Sequence, residues 1–246
     1  MKIVVTESYK ESCKYVAGEI VKIVNDNPSA KLGLATGGTA ENVYPFLVEA
    51  YEKGEADFSK ITTVNLDEYL GMKPDNPVSY RKCMDTWFFD KVNIDKANTY
   101  VASGMNDPAE EIKIFNEKLY GDKLIDFQLL GVGVSGHIGF NEPGAHLTAG
   151  VHIEKLDEST IAANSRYFDS PDDVPKESIT MGVGDIMKAG KIILIATGES
   201  KIPVITRLLA DDYVTSDLPA SVLKLHRDAT IVIDKELAEK CNYDPE

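Results

Sequence analysis

Short apolar runs recur along the chain, each followed by a longer stretch in which apolar positions return with helical spacing. "KIVV" precedes Tyr9 to Asn27, "KLGLA" precedes Thr39 to Gly54, and "ITTVN" precedes a loop and then Ser79 to Phe89. Further on come "NTYVA" with Pro108 to Tyr120, "DFQLLGVGV", "KIILIAT" with Lys201 to Leu209, and "ATIVID" with a short closing helix. Runs that are apolar on consecutive rather than alternate positions suit parallel strands covered on both faces. Strand alternating with helix implies right-handed βαβ units, hence an α/β fold with a doubly wound, mostly parallel sheet. The polar stretch from Ala145 to Lys176 interrupts the alternation, and "DSPDDVPKES" reads as surface loop because Pro and Asp end regular structure there. With no repeat, low-complexity tract or linker, residues 1–246 are expected to form a single domain.

In an open α/β sheet, ligands bind beyond the carboxyl ends of the strands. The residues that follow each apolar run are therefore the informative ones. After "KLGLA" comes Thr36-Gly37-Gly38-Thr39, and after "ITTVN" comes Asp67-Glu68-Tyr69. After "DFQLLGVGV" comes "SGHIGFNEPG" with His137 and Glu142, and after "KIILIAT" comes Gly198-Glu199-Ser200-Lys201. Polar chemistry is gathered at one edge of the sheet.

Composition narrows the partners. A chain of 246 residues with 43% hydrophobic content can bury one large core. Its formal charge of −14, from 40 acidic against 26 basic residues, argues against a nucleic-acid surface but leaves room for a local basic pocket holding a small anion. Cys13, Cys83 and Cys241 are odd in number, widely spaced and without a C-x-x-C pair, which suggests neither a disulfide framework nor a zinc knuckle and suits a reducing cytosol. No apolar window approaches the ~20 residues of a membrane span, and the N-terminal run is too short for a secretory signal. A soluble, cytoplasmic protein with no membrane partner is expected.

Each candidate segment has a plain reading beside the chemical one. Gly37 and Gly38 would let backbone N–H groups point at an anion near a helix N-terminus, with Thr39 adding a hydroxyl; the plain reading is a strand-to-helix turn with Thr39 as N-cap. Lys201 and Arg166 could add cationic contacts to a bound phosphate, although surface Lys and Arg need no function. Asp67, desolvated in an enclosed pocket, would be a base for a carbon-bound proton next to a carbonyl; otherwise it caps a turn. Asp67 and the adjacent Glu68 should not both face the same ligand, because successive side chains of an extended segment alternate. His137 exchanges a proton near neutral pH, and Glu142 can hold its ring in one tautomer and stabilise the imidazolium. His146, His152 and His226 lack such neighbours and are read as structural. No pair of His or Cys has metal-ligand spacing, so no metal is expected.

The ordered set "LGLATGGTAENVY", "NLDEYLG", "GHIGFNEPG", "ANSRYF" and "TGESK" closely resembles the glucosamine-6-phosphate deaminase family, from about Lys2 to Asp234. That resemblance implies a modified Rossmann-like fold, no cofactor, and a phosphosugar substrate whose phosphate meets Thr36, Gly37, Gly38, Thr39, Arg166 and Lys201. It also implies that Asp67 is the enolising base and that His137 and Glu142 assist ring opening. Two departures stand out. Ser135 occupies a place where many members have Asp, so the His137 imidazolium should lean more on Glu142. Ala145, His152 and Glu154 occupy places where regulated members carry basic residues and a serine, which argues against activation by a second phosphosugar. A galactosamine 6-phosphate enzyme, a 6-phosphogluconolactonase and a non-catalytic phosphosugar sensor stay open as alternatives, as does a homo-oligomer.

Overall fold

The computed structural model describes residues 1–210 and 212–244. Ten strands occur among them: β1 (Lys2–Thr6), β2 (Lys31–Leu34), β3 (Thr62–Asn65), β4 (Asp67–Tyr69), β5 (Thr99–Tyr100), β6 (Phe127–Leu130), β7 (His152–Lys155), β8 (Glu177–Thr180), β9 (Lys191–Ala196) and β10 (Ala229–Asp234). All seven apolar runs supply a strand to one sheet, in the order β1-β10-β9-β6-β2-β3-β5, and every neighbouring pair is parallel. Every residue of β2, β6 and β10 is buried, as is all of β9 after Lys191. Burial of consecutive positions requires cover on both faces, and each fully buried Ile, Leu or Val contributes about 1.5–3 kcal/mol.

The connections fix where a ligand can enter. From β2 the chain steps outward through β3 to β5, then returns to lay β6 on the other side of β2 and steps outward again through β9 and β10. This reversal makes β2 and β6 the switch point. The loops leaving their carboxyl ends diverge and leave a crevice between them.

Two sequence expectations change here. Asp67-Glu68-Tyr69 was expected in the loop after β3 and Ala145 to Lys176 as a break in the alternation, but β4, β8 and β7 form a separate antiparallel sheet in that order, with Asp67 opposite Thr180 and Ile153 opposite Ile179. The polar stretch also holds a helix, Glu158–Asn164, capped by Asp157, whose side chain accepts the Ser159 N–H. Glu177 and Ser178, at the end of the expected surface loop, open β8, while Pro171–Asp173 is a single short turn. Strands of three or four residues carrying Asp67, Glu68, Glu154 and Lys155 have no apolar run to announce them. Pairing around buried Ile179 and Tyr69 holds them instead.

Elsewhere the differences are of boundary. The helix Tyr9–Asp26 starts where Ser8 Oγ accepts the Glu11 N–H, and Pro108–Tyr120 starts on Pro108 behind the Asp107 cap. The expected Thr39 to Gly54 helix divides into a 3-10 turn, Ala40–Asn42, and a helix, Tyr44–Glu52, with Pro45 in the first turn, where its missing N–H costs nothing. Ser79 caps Tyr80–Met84, which runs on as a π-turn through Phe89. β6 stops at Leu130, four residues before "DFQLLGVGV" ends, because the glycines that follow turn under the site.

Candidate active site

A cavity of about 500 Å³ opens at the β2/β6 switch point. Thr36, Gly37, Gly38, Thr39, Asp67, His137, Arg166 and Lys201 all line it, so five segments far apart in sequence meet there. Ser135 and Glu142 do not reach the wall; they lie behind the His137 ring.

One part of the wall suits an anion. Gly37 has φ +93°, a left-handed conformation that side chains resist, and it turns the chain out of β2. Tyr9 Oη donates to the Thr39 carbonyl at 2.7 Å and Asn42 Nδ2 donates to the Gly38 carbonyl at 3.0 Å, which pins the loop's acceptors. Thr39 makes no side-chain capping bond, so the plain N-cap reading fails and its hydroxyl is free for the cavity. The Arg166 guanidinium lies over the Tyr167 ring at 4.8 Å and so close to Gly38 that a Cβ there would stand 3.0 Å from Arg166 Nη2. Burial, and then the charge of Arg166, push the Lys201 ammonium down to about 8. Half-buried Lys201 and exposed Arg166 are the two cations of this part of the wall. A bound anion would relieve both.

The other part handles protons. Asp67 is 7% exposed, and among the described residues no hydrogen bond holds its carboxyl. Burial first, and then the neighbouring Glu68 charge, push it up to about 8. Glu68 points away from the cavity, as alternation along β4 requires; Oε1 accepts the Tyr69 N–H at 2.9 Å and Oε2 accepts the Arg81 N–H at 3.1 Å. Gly139, at φ +55°, brings the loop after β6 against this carboxyl: a Cβ there would stand 3.6 Å from Asp67 Oδ2.

His137 is oriented from behind. Its Nδ1 lies 3.0 Å from Glu142 Oε2 and 3.0 Å from Ser135 Oγ, with Thr160 Oγ1 at 3.3 Å, and Ser135 Oγ donates to Glu142 Oε2 at 3.0 Å. This network assigns the proton to Nδ1, donated to Glu142, and leaves Nε2 for the cavity. Burial pushes Glu142 up, but the bond and charge of His137, with Thr160 and Ser135, outweigh it and hold the carboxyl below its ordinary value. The imidazole lies against Gly133, where a Cβ would stand 2.2 Å from the ring. A glycine at 133 therefore leaves room for the ring beyond the end of β6.

Sequence reasoning missed Tyr80, Thr160, Asn164 and Tyr167 on the wall. A usable signal existed for three of them. Thr160, Ala163, Asn164 and Tyr167 recur at helical spacing inside the stretch read as irregular, and Asn164 Nδ2 also donates to Tyr69 Oη at 2.9 Å. Two of the three histidines set aside as structural have structural partners: His226 Nε2 donates to the Ala189 carbonyl, and His152 pairs with Glu154 on β7, while His146 is exposed.

Comparison with known proteins agrees with this geometry. The profile of the family described as "Glucosamine-6-phosphate isomerases/6-phosphogluconolactonase" matches residues 5–232. A glucosamine-6-phosphate deaminase of Clostridium perfringens strain 13 is 46% identical over 97% of this chain and 99% of its own length. One from Thermoanaerobacter sp. strain X514 is 44% identical over 97% and 94%. A monomeric glucosamine-6-phosphate deaminase of known structure superposes with a TM-score of 0.94 at 38% identity, covering 98% of this chain and 100% of that one. The 6-phosphogluconolactonase of Trypanosoma brucei shares the fold, with a TM-score of 0.77 at 17% identity over 97% of each chain. By the length of the profile match and the identity of its relatives, the chain belongs to the glucosamine-6-phosphate isomerase and 6-phosphogluconolactonase family.

Proposed function

We propose that this protein is a glucosamine-6-phosphate deaminase, converting glucosamine 6-phosphate to fructose 6-phosphate and ammonia. The observation that carries the reading is the presence, in one cavity, of an unpartnered buried carboxyl, Asp67, and a separate His137–Glu142 pair, beside a glycine loop with two cations. Deaminases of 46% and 44% identity support it. A lactonase has no use for a second proton-transfer station, and a sensor has use for neither.

The chemistry follows from what the closed sugar lacks. A pyranose has no carbonyl, so its C2–H is not acidic until the ring oxygen is protonated and O1 loses its proton. His137 exchanges these protons through Nε2, while Glu142 stabilises the imidazolium through Nδ1–H. Ser135 adds a hydrogen bond to that carboxylate. With the chain open, Asp67 removes the C2 proton and returns it to C1 through an enolamine, and the resulting C2 imine is hydrolysed to the ketone and ammonia. Desolvation that raises the Asp67 carboxyl makes it a stronger base once ionised. Thr36, Gly37, Gly38, Thr39, Arg166 and Lys201 hold the phosphate throughout, contributing binding rather than acceleration. No step calls on a metal or a nicotinamide.

The whole chain acts as one domain in this reading, and every group used comes from a single chain. Among the described residues no helix is long and apolar enough to cross a membrane; the cytoplasm is the compartment we propose. Incubation of purified protein with glucosamine 6-phosphate, galactosamine 6-phosphate and 6-phosphogluconolactone tests the assignment. Ammonia with fructose 6-phosphate from the first is expected. Ammonia from the galactosamine compound alone, or lactone hydrolysis without deamination, would replace it.

A further inference from the structure

Glu68 is a buried carboxylate that the proposed reaction does not use. It is 1% exposed, sits next to Asp67 on β4 and faces the opposite way. Among the described residues no cation forms an ion pair with it. Arg81, whose main-chain N–H reaches Glu68 Oε2, spends its guanidinium elsewhere: Nε and Nη2 meet Asp85 at 3.3 and 3.0 Å, and Nη1 donates to Thr99 Oγ1 at 3.0 Å. Among the described residues only main-chain N–H groups hold the carboxylate, from Tyr69 on its own strand and from Arg81 in the first turn of the Tyr80–Met84 helix. Such first-turn N–H groups have no partner within their own helix. Glu68 therefore fastens the strand that carries Asp67 to the helix that carries Tyr80, and both residues line the cavity.

Resting on the deaminase reading, we infer that Glu68 is a positioning residue, whose buried charge makes its neighbour Asp67 a stronger base while its main-chain bonds hold Asp67 and Tyr80 in place on the cavity wall. The groups around the pair are accounted for. The phenols of Tyr69 and Tyr80 and the Cys83 thiol are all pushed up by burial, so they stay neutral beside it. Arg81 is committed to Asp85, and His137, Glu41, Arg166 and Lys201 share the cavity with Asp67. Burial pushes Glu68 itself up to about 7, below the value of about 8 for Asp67, so on a rising pH Glu68 ionises first and opposes ionisation of its neighbour.

Two variants separate charge from position. In Glu68→Gln, which keeps an acceptor for one main-chain N–H but removes the charge, the acidic limb of kcat/KM should move to lower pH by about half a unit or more, because a like charge beside Asp67 has gone. In Glu68→Asp, which keeps the charge on a shorter stem, the limb should stay near the wild-type pH while kcat falls. A purely structural Glu68 would alter thermal stability in both and leave the limb unmoved in Glu68→Gln; that result overturns the inference. The carboxyl titrations of the unmutated protein, followed by carbon NMR, cover the case in which neither variant folds. Asp67 should titrate in two coupled steps, and a single step of unit slope overturns the inference. This readout needs no turnover. A wild-type protein inert toward amino sugar phosphates would end the deaminase reading and leave the Glu68 titration to be judged by itself.

Discussion

Asp67 and Glu142 are two carboxylates of one site, almost equally buried at 7% and 9% exposed, yet their environments push them in opposite directions. Asp67 comes from a strand, has no hydrogen-bond partner among the described residues and is raised to about 8. Glu142 comes from a glycine-rich loop, is gripped by His137 and Ser135, and is held below the ordinary carboxylate value. Burial alone does not decide what a carboxylate does; the donors around it do. The unpartnered one is built to take a proton and the partnered one to remain charged, which is the division of labour expected when one cavity must hold a base and stabilise a cation.

The largest effect should come from removing the unpartnered member. Asp67→Asn should lower turnover by ~10²-fold or more while leaving phosphosugar binding largely intact. Exchange of the C2 proton with deuterated solvent should fall in parallel, and near wild-type exchange would take Asp67 out of the role. Removing the partnered member should cost less and at a different step. Glu142→Gln should slow closed-ring substrate by about 10²-fold and an open-chain analogue far less, since only the former needs His137 charged. Equal losses on both substrates would mean that Glu142 supports the site generally.

Much of this contrast could be read from the chain, for reasons that differ by region. The seven parallel strands were legible because burial on both faces demands unbroken apolar runs, as in "KIILIA" of β9. The glycine loop at the cavity and the His137–Glu142 pair were legible because glycine and histidine beyond a strand end have few other uses. What was not legible is the small sheet. β4, β7 and β8 are stabilised by pairing with one another, and nothing local in "DEY" or "HIEK" announces partners that lie tens of residues away. Tyr80 gave no local signal either, whereas Thr160 and Asn164 recur at helical spacing on Glu158–Asn164, the helix that carries them to the cavity wall.

The anion end contrasts with the carboxylates in being cationic and partly open. Lys201→Ala and Arg166→Ala should each raise the Kd for fructose 6-phosphate about tenfold, with smaller changes in kcat, because phosphate is held in ground state and transition state alike. Unchanged affinity in either variant would remove that residue from the phosphate site. Since Lys201 is pushed down to about 8, its loss of charge should also shape the alkaline limb of kcat/KM, and Lys201→Arg should carry that limb to higher pH.

The smallest effect is expected at Ser135, which touches both His137 and Glu142 without reaching the cavity. Ser135→Asp should favour the protonated imidazole and carry the alkaline limb of the closed-ring profile to higher pH by about a unit or less, leaving an open-chain substrate nearly indifferent. Ser135→Asn is the uncharged control for size. The same shift in that control would make the effect steric.

The opposed environments of the two carboxylates are tested most directly by unfolding free energy as a function of pH, for Asp67→Asn and Glu142→Gln each against the wild type. A carboxyl raised on folding contributes stability below its unfolded value near 4 and loses it as pH rises toward its folded value, here about 8. Asp67→Asn should therefore become more stable than the wild type across pH 4 to 8, by on the order of 1–3 kcal/mol at the top of that window. A carboxyl lowered on folding does the reverse, so Glu142→Gln should be less stable than the wild type above about pH 4 and converge with it as acid protonates the native carboxylate. Difference curves of opposite sign are the predicted result. Curves of the same sign would mean that the two carboxylates share one environment, and the assignment of base and charge between them would fall.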